Sequence, residues 1–241
     1  PPGVTFTATS AGSDHSLALG SDGRAYGWGY GDGGQLGTGQ TSNAFVPVPV
    51  KTPSGVSFTQ VSVGLDHSLA LGSDGHAYAW GAGGLGQLGT GGTTRTLAPV
   101  RAITPTGVTF AAISAASFRS VALGSDGHIY TWGLRGKTSG GVQVTDFAPV
   151  PLSTPPGVTF TAIAAGDNHS YALGSDGQTY AWGNGTTADS RIPVPMTTPP
   201  GVTFTSIDIG MNGSLAIGSD GQTYSWRNAQ TTATLAPVRV S

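Results

Sequence analysis

Two triplets, Asp14-His15-Ser16 and Asp66-His67-Ser68, carry the residue types of a hydrolytic triad. In such a triad a carboxylate orients an imidazole, which takes a proton from a hydroxyl nucleophile. The chemistry requires the three side chains to converge. Consecutive residues of an extended strand point to alternate sides, so three in a row do not converge. The same slot reads Phe118-Arg119-Ser120, Asn168-His169-Ser170 and Asn212-Gly213-Ser214 further along the chain. His15, His67 and His169 are therefore expected to be structural, bonded to backbone near a turn. A ring of imidazoles around a metal is not expected, because Arg119 and Gly213 interrupt it.

The acids give two further possibilities. Asp22, Asp74, Asp126, Asp176 and Asp220 each stand in a Gly-Ser-Asp-Gly tetrapeptide. One carboxylate per separated turn falls short of the six to eight oxygens of a calcium site, and turn formation explains them. Glycoside hydrolysis needs two carboxyl groups about 5–10 Å apart in a pocket. The acids outside the repeated turn are Asp32, Asp146, Asp167, Asp189 and Asp208, besides those of the triplets. Asp208 breaks the apolar pattern of its strand, where the equivalents are read as Thr9, Ser62, Ser114 and Ala164, so a channel-facing acid is expected there without an evident second one. His76 and His128, equivalent to Arg24, Gln178 and Gln222, read as polar residues on a solvated strand. No catalytic residue, metal or cofactor is expected.

The elements that position these residues form a repeat. Gly-Ser-Asp-Gly begins at Gly20, Gly72, Gly124, Gly174 and Gly218, in steps of 52, 52, 50 and 44 residues. Periods of this length belong to propeller blades or helical arrays, and strand chemistry decides between them. Each unit opens with alternating apolar and β-branched residues, as in Gly157-Val-Thr-Phe-Thr-Ala-Ile-Ala. A short apolar strand, a Ser-Asp-Gly turn and a strand ending in Trp follow. A variable loop leads to a Pro-rich segment such as Pro47-Val-Pro-Val, which suits only a sheet edge. The expected fold is all-β: a single β-propeller over residues 1–241, of four-stranded antiparallel blades, with units near 1–52, 53–104, 105–154, 155–198 and 199–241. Trp28, Trp80, Trp132, Trp182 and Trp226 recur once per unit and are expected to pack blade against blade.

Composition excludes several partner classes. The chain has 241 residues with 37% hydrophobic and only 9% charged, and a net charge of −2. Nothing there suits a phosphate backbone, and no apolar run approaches the roughly 20 residues of a membrane span. All 12 acidic residues are aspartate, which favours turns over helices. The absence of cysteine removes disulfides and thiolate chemistry. Few charges with much Gly, Ser and Thr suggest an extracellular or cell-surface bacterial protein. The opening Pro-Pro-Gly-Val-Thr-Phe is itself a repeat element, as in a segment cut from a longer precursor.

Gly-x-x-His-Ser-Leu-Ala-Leu, a strand ending Trp-Gly, and the loops Gly34-Gln-Leu-Gly and Gly86-Gln-Leu-Gly resemble the repeat of the regulator of chromosome condensation family. The later units lack the Gly-Gln-Leu-Gly tetrapeptide, and the fifth has Trp226-Arg227 in place of Trp-Gly. The resemblance implies a propeller, usually of seven blades. With five repeats a closed five-bladed ring is expected over part of a seven-bladed one. It also implies regulation or inhibition of a partner enzyme, as in small-GTPase exchange or β-lactamase inhibition. A glycan-acting enzyme and a purely structural spacer are the remaining readings.

In an antiparallel blade the turns alternate between two faces. The Ser-Asp-Gly turns and Pro-Pro-Gly linkers share one, which hardly varies between units. The turn before His-Ser and the loop after Trp-Gly share the other, which carries the differences. A non-enzymatic domain binding a protein or glycan through that variable face is expected. The candidate residues are Phe118, Arg119, Leu134, Arg135 and Lys137 of the third unit, Met211, Asn212 and Arg227 of the fifth, and Tyr30 and Asp32 of the first. An exposed aromatic beside arginine has the composition of an interface hot spot. A monomer is expected, with self-association through open blade edges as the alternative.

Overall fold

The computed structural model describes residues 1–137, 143–167, 169–183, 192–210, 213–227 and 237–240. It is a five-bladed β-propeller whose blades follow one another in chain order. The first blade comprises β1 (Phe6–Ala11), β2 (His15–Gly20), β3 (Ala25–Gly29) and β4 (Ala44–Pro49). The second is β5 (Phe58–Val63), β6 (His67–Gly72), β7 (Ala77–Gly81) and β8 (Thr96–Arg101). The third is β9 (Phe110–Ala115), β10 (Arg119–Gly124), β11 (Ile129–Lys137) and β12 (Gln143–Pro151). The fourth is β13 (Phe160–Ala165), β14 (His169–Gly174), β15 (Thr179–Gly183) and β16 (Val194–Pro195). The fifth is β17 (Phe204–Ile209), β18 (Gly213–Gly218), β19 (Thr223–Arg227) and β20 (Val238–Arg239). Each blade is a separate antiparallel sheet in sequence order, so the proline-rich fourth strand lies at an edge, as its missing N–H groups require.

The Ser-Asp-Gly turn is held by its own side chains. Asp22 Oδ1 accepts the Arg24 N–H at 3.2 Å, and Oδ2 accepts the Tyr26 hydroxyl at 2.6 Å. The same pair recurs at Asp74–Tyr78, Asp126–Tyr130, Asp176–Tyr180 and Asp220–Tyr224. Ser21 Oγ accepts the Thr5 N–H and the Ser21 N–H donates to the Thr5 carbonyl, tying the linker to the turn and placing both on one face. Next to the turn, Phe and Tyr of each blade meet, with Trp beside them: Phe58 lies edge-on to Tyr78 at 5.7 Å and stacks on Trp80 at 6.2 Å.

Successive blades pack through four similar cores. Leu17, Leu19 and Val50 of the first blade pack on Phe58, Val61, Tyr78 and Trp80 of the second. Leu69, Leu71 and Leu88 meet Phe110, Ile113 and Trp132, and Val121, Leu123 and Leu152 meet Phe160, Tyr180 and Trp182. Tyr171 and Leu173 meet Phe204, Tyr224 and Trp226.

The joint between the fifth and first blades differs from these four. Among the described residues β1 pairs with β2 alone and β20 with β19 alone, so no described strand from one end of the chain completes the blade at the other. Phe6 is 40% exposed where its equivalent Phe58 is 4% exposed, and Leu215 is 51% exposed where Leu69 is 0%. The five blades form the expected ring, and among the described residues this joint is more exposed than the other four. One reason lies in side chains: Thr9 stands where Val61 and Ile113 fill the interior joints, and Gly213 stands where the other blades have His or Arg.

Candidate protein-binding face

The conserved-looking triplets prove to be joint hardware. His15 Nε2 lies 2.9 Å from Ser68 Oγ, on the next blade. Ser68 Oγ donates to the Gln35 carbonyl at 2.8 Å, and Trp80 Nε1 donates to the same carbonyl at 2.8 Å. The serine proton is therefore committed, and His15 must donate from Nε2, so that nitrogen carries a proton and cannot act as a base toward that hydroxyl. His67, Ser120, Gln87 and Trp132 repeat the arrangement one blade on. Burial pushes the His15 imidazole down to about 4, against the pull of Asp14, and pushes His67 down to about 3. Gly-Gln-Leu-Gly thus supplies the carbonyl that binds the following blade's tryptophan. Gly37, at φ +70°, lies against Trp80, and a Cβ there would come within 2.7 Å of Nε1. The fourth joint lacks the tetrapeptide, and Trp226 Nε1 donates instead to the Tyr171 hydroxyl at 2.8 Å.

Arg119 belongs to this hardware and not to a binding surface. It is 7% exposed, and its Nε and terminal nitrogen donate to the Gly166 carbonyl at 3.2 and 2.7 Å. The terminal nitrogen also reaches Ser170 Oγ at 3.0 Å, as an imidazole does in the first two joints. Burial lowers its pKa to about 10, still far above neutrality, so the guanidinium stays charged. Removing the side chain strands the Gly166 carbonyl. Arg119→Ala is expected to cost about 2–3 kcal/mol in urea unfolding, and Arg119→His to recover most of it. Equal losses for both variants would contradict this role.

The other candidates separate into distinct places. The Phe118 carbonyl accepts the Leu134 N–H at 2.9 Å, so these two are neighbours as expected, and Phe118 is exposed while Leu134 is half-buried. Arg135 does not offer a free charge: its guanidinium is paired with Asp146 across the β11–β12 hairpin, with Nε 2.9 Å from Oδ2. Tyr30 and Asp32 are exposed, and Asp32 accepts the Tyr30 hydroxyl, raising its pKa. The Asp32 carbonyl also takes Arg95 from the second blade's loop at 3.3 Å. Arg227 is exposed at the Trp-Gly glycine position, paired across the strands with Gly213. It lines a cavity of about 780 Å³ on the fifth blade with Asp208, Leu215, Trp226 and Val238, away from the Phe118 group. Asp208 is the only carboxylate among the residues that line it. Met211 and Asn212 lie outside the described residues, as does the side chain of Lys137.

At the centre of the same face, the turns before each His-Ser slot surround a depression of about 200 Å³. Ser13, Leu65, Ser117, Asp167 and Gly210 line it, one from each blade. Ser117 donates to the Asp167 carboxylate, linking the third blade to the fourth. Of these, only Asp167 was singled out in the sequence, as an acid outside the repeated turns. Among the described residues no group of three His, Cys, Asp or Glu side chains is placed to hold a metal ion.

Comparison with known proteins places the chain. The RCC1-like domain matches residues 1–233. The ultraviolet-B receptor UVR8 of Arabidopsis thaliana is 34% identical over 132 residues, which are 54% of this chain and 30% of that receptor. The human probable E3 ubiquitin-protein ligase HERC6 is 38% identical over 126 residues, 52% of this chain and 12% of that ligase. The chain thus matches less than a third of the length of either. Among solved structures, human WBSCR16 superposes on 99% of this chain and 67% of its own, with a TM-score of 0.83 at 21% identity. Prp20p of Saccharomyces cerevisiae, described with its binding to Gsp1p and histones, covers 99% of this chain and 64% of its own, with a TM-score of 0.77 at 26% identity. These relatives are eukaryotic and do not support the expectation of a bacterial-type copy. The repeat, the blade and the match over nearly the whole length show that the chain belongs to the RCC1-like domain family.

Proposed function

We propose that this domain is a non-catalytic platform that binds a protein through the face carrying the β1–β2 turns and the loops after Trp-Gly. One observation carries the reading. Once the joints have taken His15, His67, Arg119 and the Gly-Gln-Leu-Gly loops, Tyr30, Asp32 and Phe118 remain exposed on that face. An exposed tyrosine and phenylalanine on a rigid scaffold, with a neighbouring acid, suit a protein hot spot. The family supports a protein over a glycan as partner, since Prp20p is described with the proteins it binds. A secreted or cell-surface setting rests on composition alone, chiefly the 9% of charged residues.

A photoreactive side chain at position 30 or 118 is expected to cross-link a protein from the source cells. The same group at Arg24 or His128, beside the Ser-Asp-Gly turns, is expected to give none. Cross-links only from the turn face would reverse the assignment.

A further inference from the structure

Five Asp-Gly steps stand exposed in the turns, at Asp22, Asp74, Asp126, Asp176 and Asp220. The dipeptide carries an intrinsic hazard. A glycine amide nitrogen, unshielded by any Cβ on its own residue, is open to attack the side-chain carboxyl of the aspartate before it. A bond forms between that nitrogen and Cγ, and the carboxyl hydroxyl leaves with the amide proton as water, closing a five-membered imide. A second water reopens the ring at either carbonyl. Opening at the backbone carbonyl routes the chain through Cγ and yields isoaspartate, with one extra methylene in the backbone. At Asp74 such a product would displace the Leu71–Ala77 pairing that closes the β6–β7 hairpin.

The turn holds both reacting groups in unreactive states. The Gly75 N–H donates to the Gly72 carbonyl at 2.9 Å, which commits the nitrogen's proton. Asp74 Oδ1 accepts the His76 N–H at 3.2 Å, and Oδ2 accepts the Tyr78 hydroxyl at 2.8 Å. Two donors on one carboxylate favour its ionised form, and an ionised carboxylate has no hydroxyl to lose. The other four turns repeat the arrangement, with tyrosine hydroxyls 2.6, 2.7, 2.7 and 2.8 Å from Asp22, Asp126, Asp176 and Asp220. In each, the glycine N–H likewise donates to the carbonyl three residues back.

Packing does not call for the hydroxyl. Tyr78 is buried and meets Phe58 through its ring, a contact that phenylalanine would reproduce. The turn also has other fastenings: the Gly75 to Gly72 bond, Gly75 at φ +74°, and the Ser57 N–H donated to Ser73 Oγ at 3.2 Å. Yet all five units keep a tyrosine four residues after the aspartate. We infer that the five Asp-Gly steps are latent sites of isoaspartate formation, each kept unreactive by that tyrosine hydroxyl. The hydroxyl acts on the carboxylate and takes no part in the partner-binding face.

Peptide mapping of the folded domain after prolonged incubation at neutral pH reads isoaspartate at each step separately. In the unaltered chain Asp74 is expected to isomerise far more slowly than in a free peptide spanning residues 72–78. Tyr78→Phe is expected to raise the rate at Asp74 about tenfold, the equivalent of one hydrogen bond to a charged group, and to leave Asp22 and Asp126 unchanged. Tyr130→Phe should move the effect to Asp126, and it serves as the test if the first variant does not fold. Ser73→Ala removes a fastening of the same turn but leaves both donors on the carboxylate, so Asp74 should keep its original rate. Equal rates at Asp74 and Asp126 in Tyr78→Phe would overturn the inference, because the hydroxyl would then protect nothing. An equal rise in Ser73→Ala would overturn it too, because loosening of the turn would then account for the effect. So would an unaltered chain that isomerises as fast as the peptide.

Discussion

Trp80→Ala is expected to destabilise the domain by about 3–5 kcal/mol, a large part of a typical 5–15 kcal/mol total. Trp80 is fully buried at the joint between the first two blades, stacked on Phe58 and bonded to the Gln35 carbonyl. Its removal opens a cavity between two rigid sheets that are free to collapse only by tilting. Trp80→Phe should cost less, because Ser68 still donates to the same carbonyl. Trp28→Ala provides the internal comparison. Trp28 has the same place in the first blade but lies at the exposed joint and is only half-buried, so its loss should cost less than half as much. Denaturant midpoints of the three variants decide the matter. Equal losses at Trp28 and Trp80 would mean that the first joint is no better packed than the exposed one.

Acidification is the second large effect. His15 and His67 are held neutral by burial, at about 4 and about 3 against an ordinary 6.5. The unfolded chain binds protons on both as the pH falls through 6.5, and the folded chain does not. Their contribution to stability is therefore complete above pH 6.5 and is lost progressively down to their folded values. By pH 4 each imidazole is expected to have removed on the order of 2–3 kcal/mol. The turn aspartates, lowered by their tyrosine and backbone hydrogen bonds, lose their contribution only in the more acidic range of carboxylates. Unfolding midpoints at pH 7.5, 5.5 and 4.5 separate the two effects. His15→Asn, which keeps an N–H donor without an ionisable ring, should flatten the slope. Unchanged stability down to pH 4.5 would contradict neutral, buried imidazoles.

Local chemistry made most of the blade legible. The tyrosine two residues before each tryptophan, the aspartate of the turn and the proline-rich edge all act within one blade, where strand alternation fixes the side of each residue. What crosses between blades was harder to read. The His15–Ser68 bond spans 53 residues, so nothing near His15 in sequence names its partner. Arg119 looked like a surface charge because arginine is seldom buried, yet its slot is the histidine slot and Ser170 is still there to receive it. That pairing of an altered donor with a retained serine was the available signal. Arg135 misled for a related reason: its partner Asp146 sits 11 residues on, across a hairpin whose register composition does not reveal. The exposed joint between the fifth and first blades is likewise a matter of which side chains meet across it, Thr9 and Gly213 among them, which a repeat count does not contain.

The most direct measurement is the affinity of the protein captured by cross-linking for two variants of the domain: a triple one with Tyr30, Asp32 and Phe118 changed to alanine, and a double one with Arg24 and His128 changed. The account predicts at least a tenfold weaker Kd for the first, about 1.4 kcal/mol or more, with little change in Tm, and an unchanged Kd for the second. Unchanged affinity in the first, or loss confined to the second, would contradict binding through the loop face.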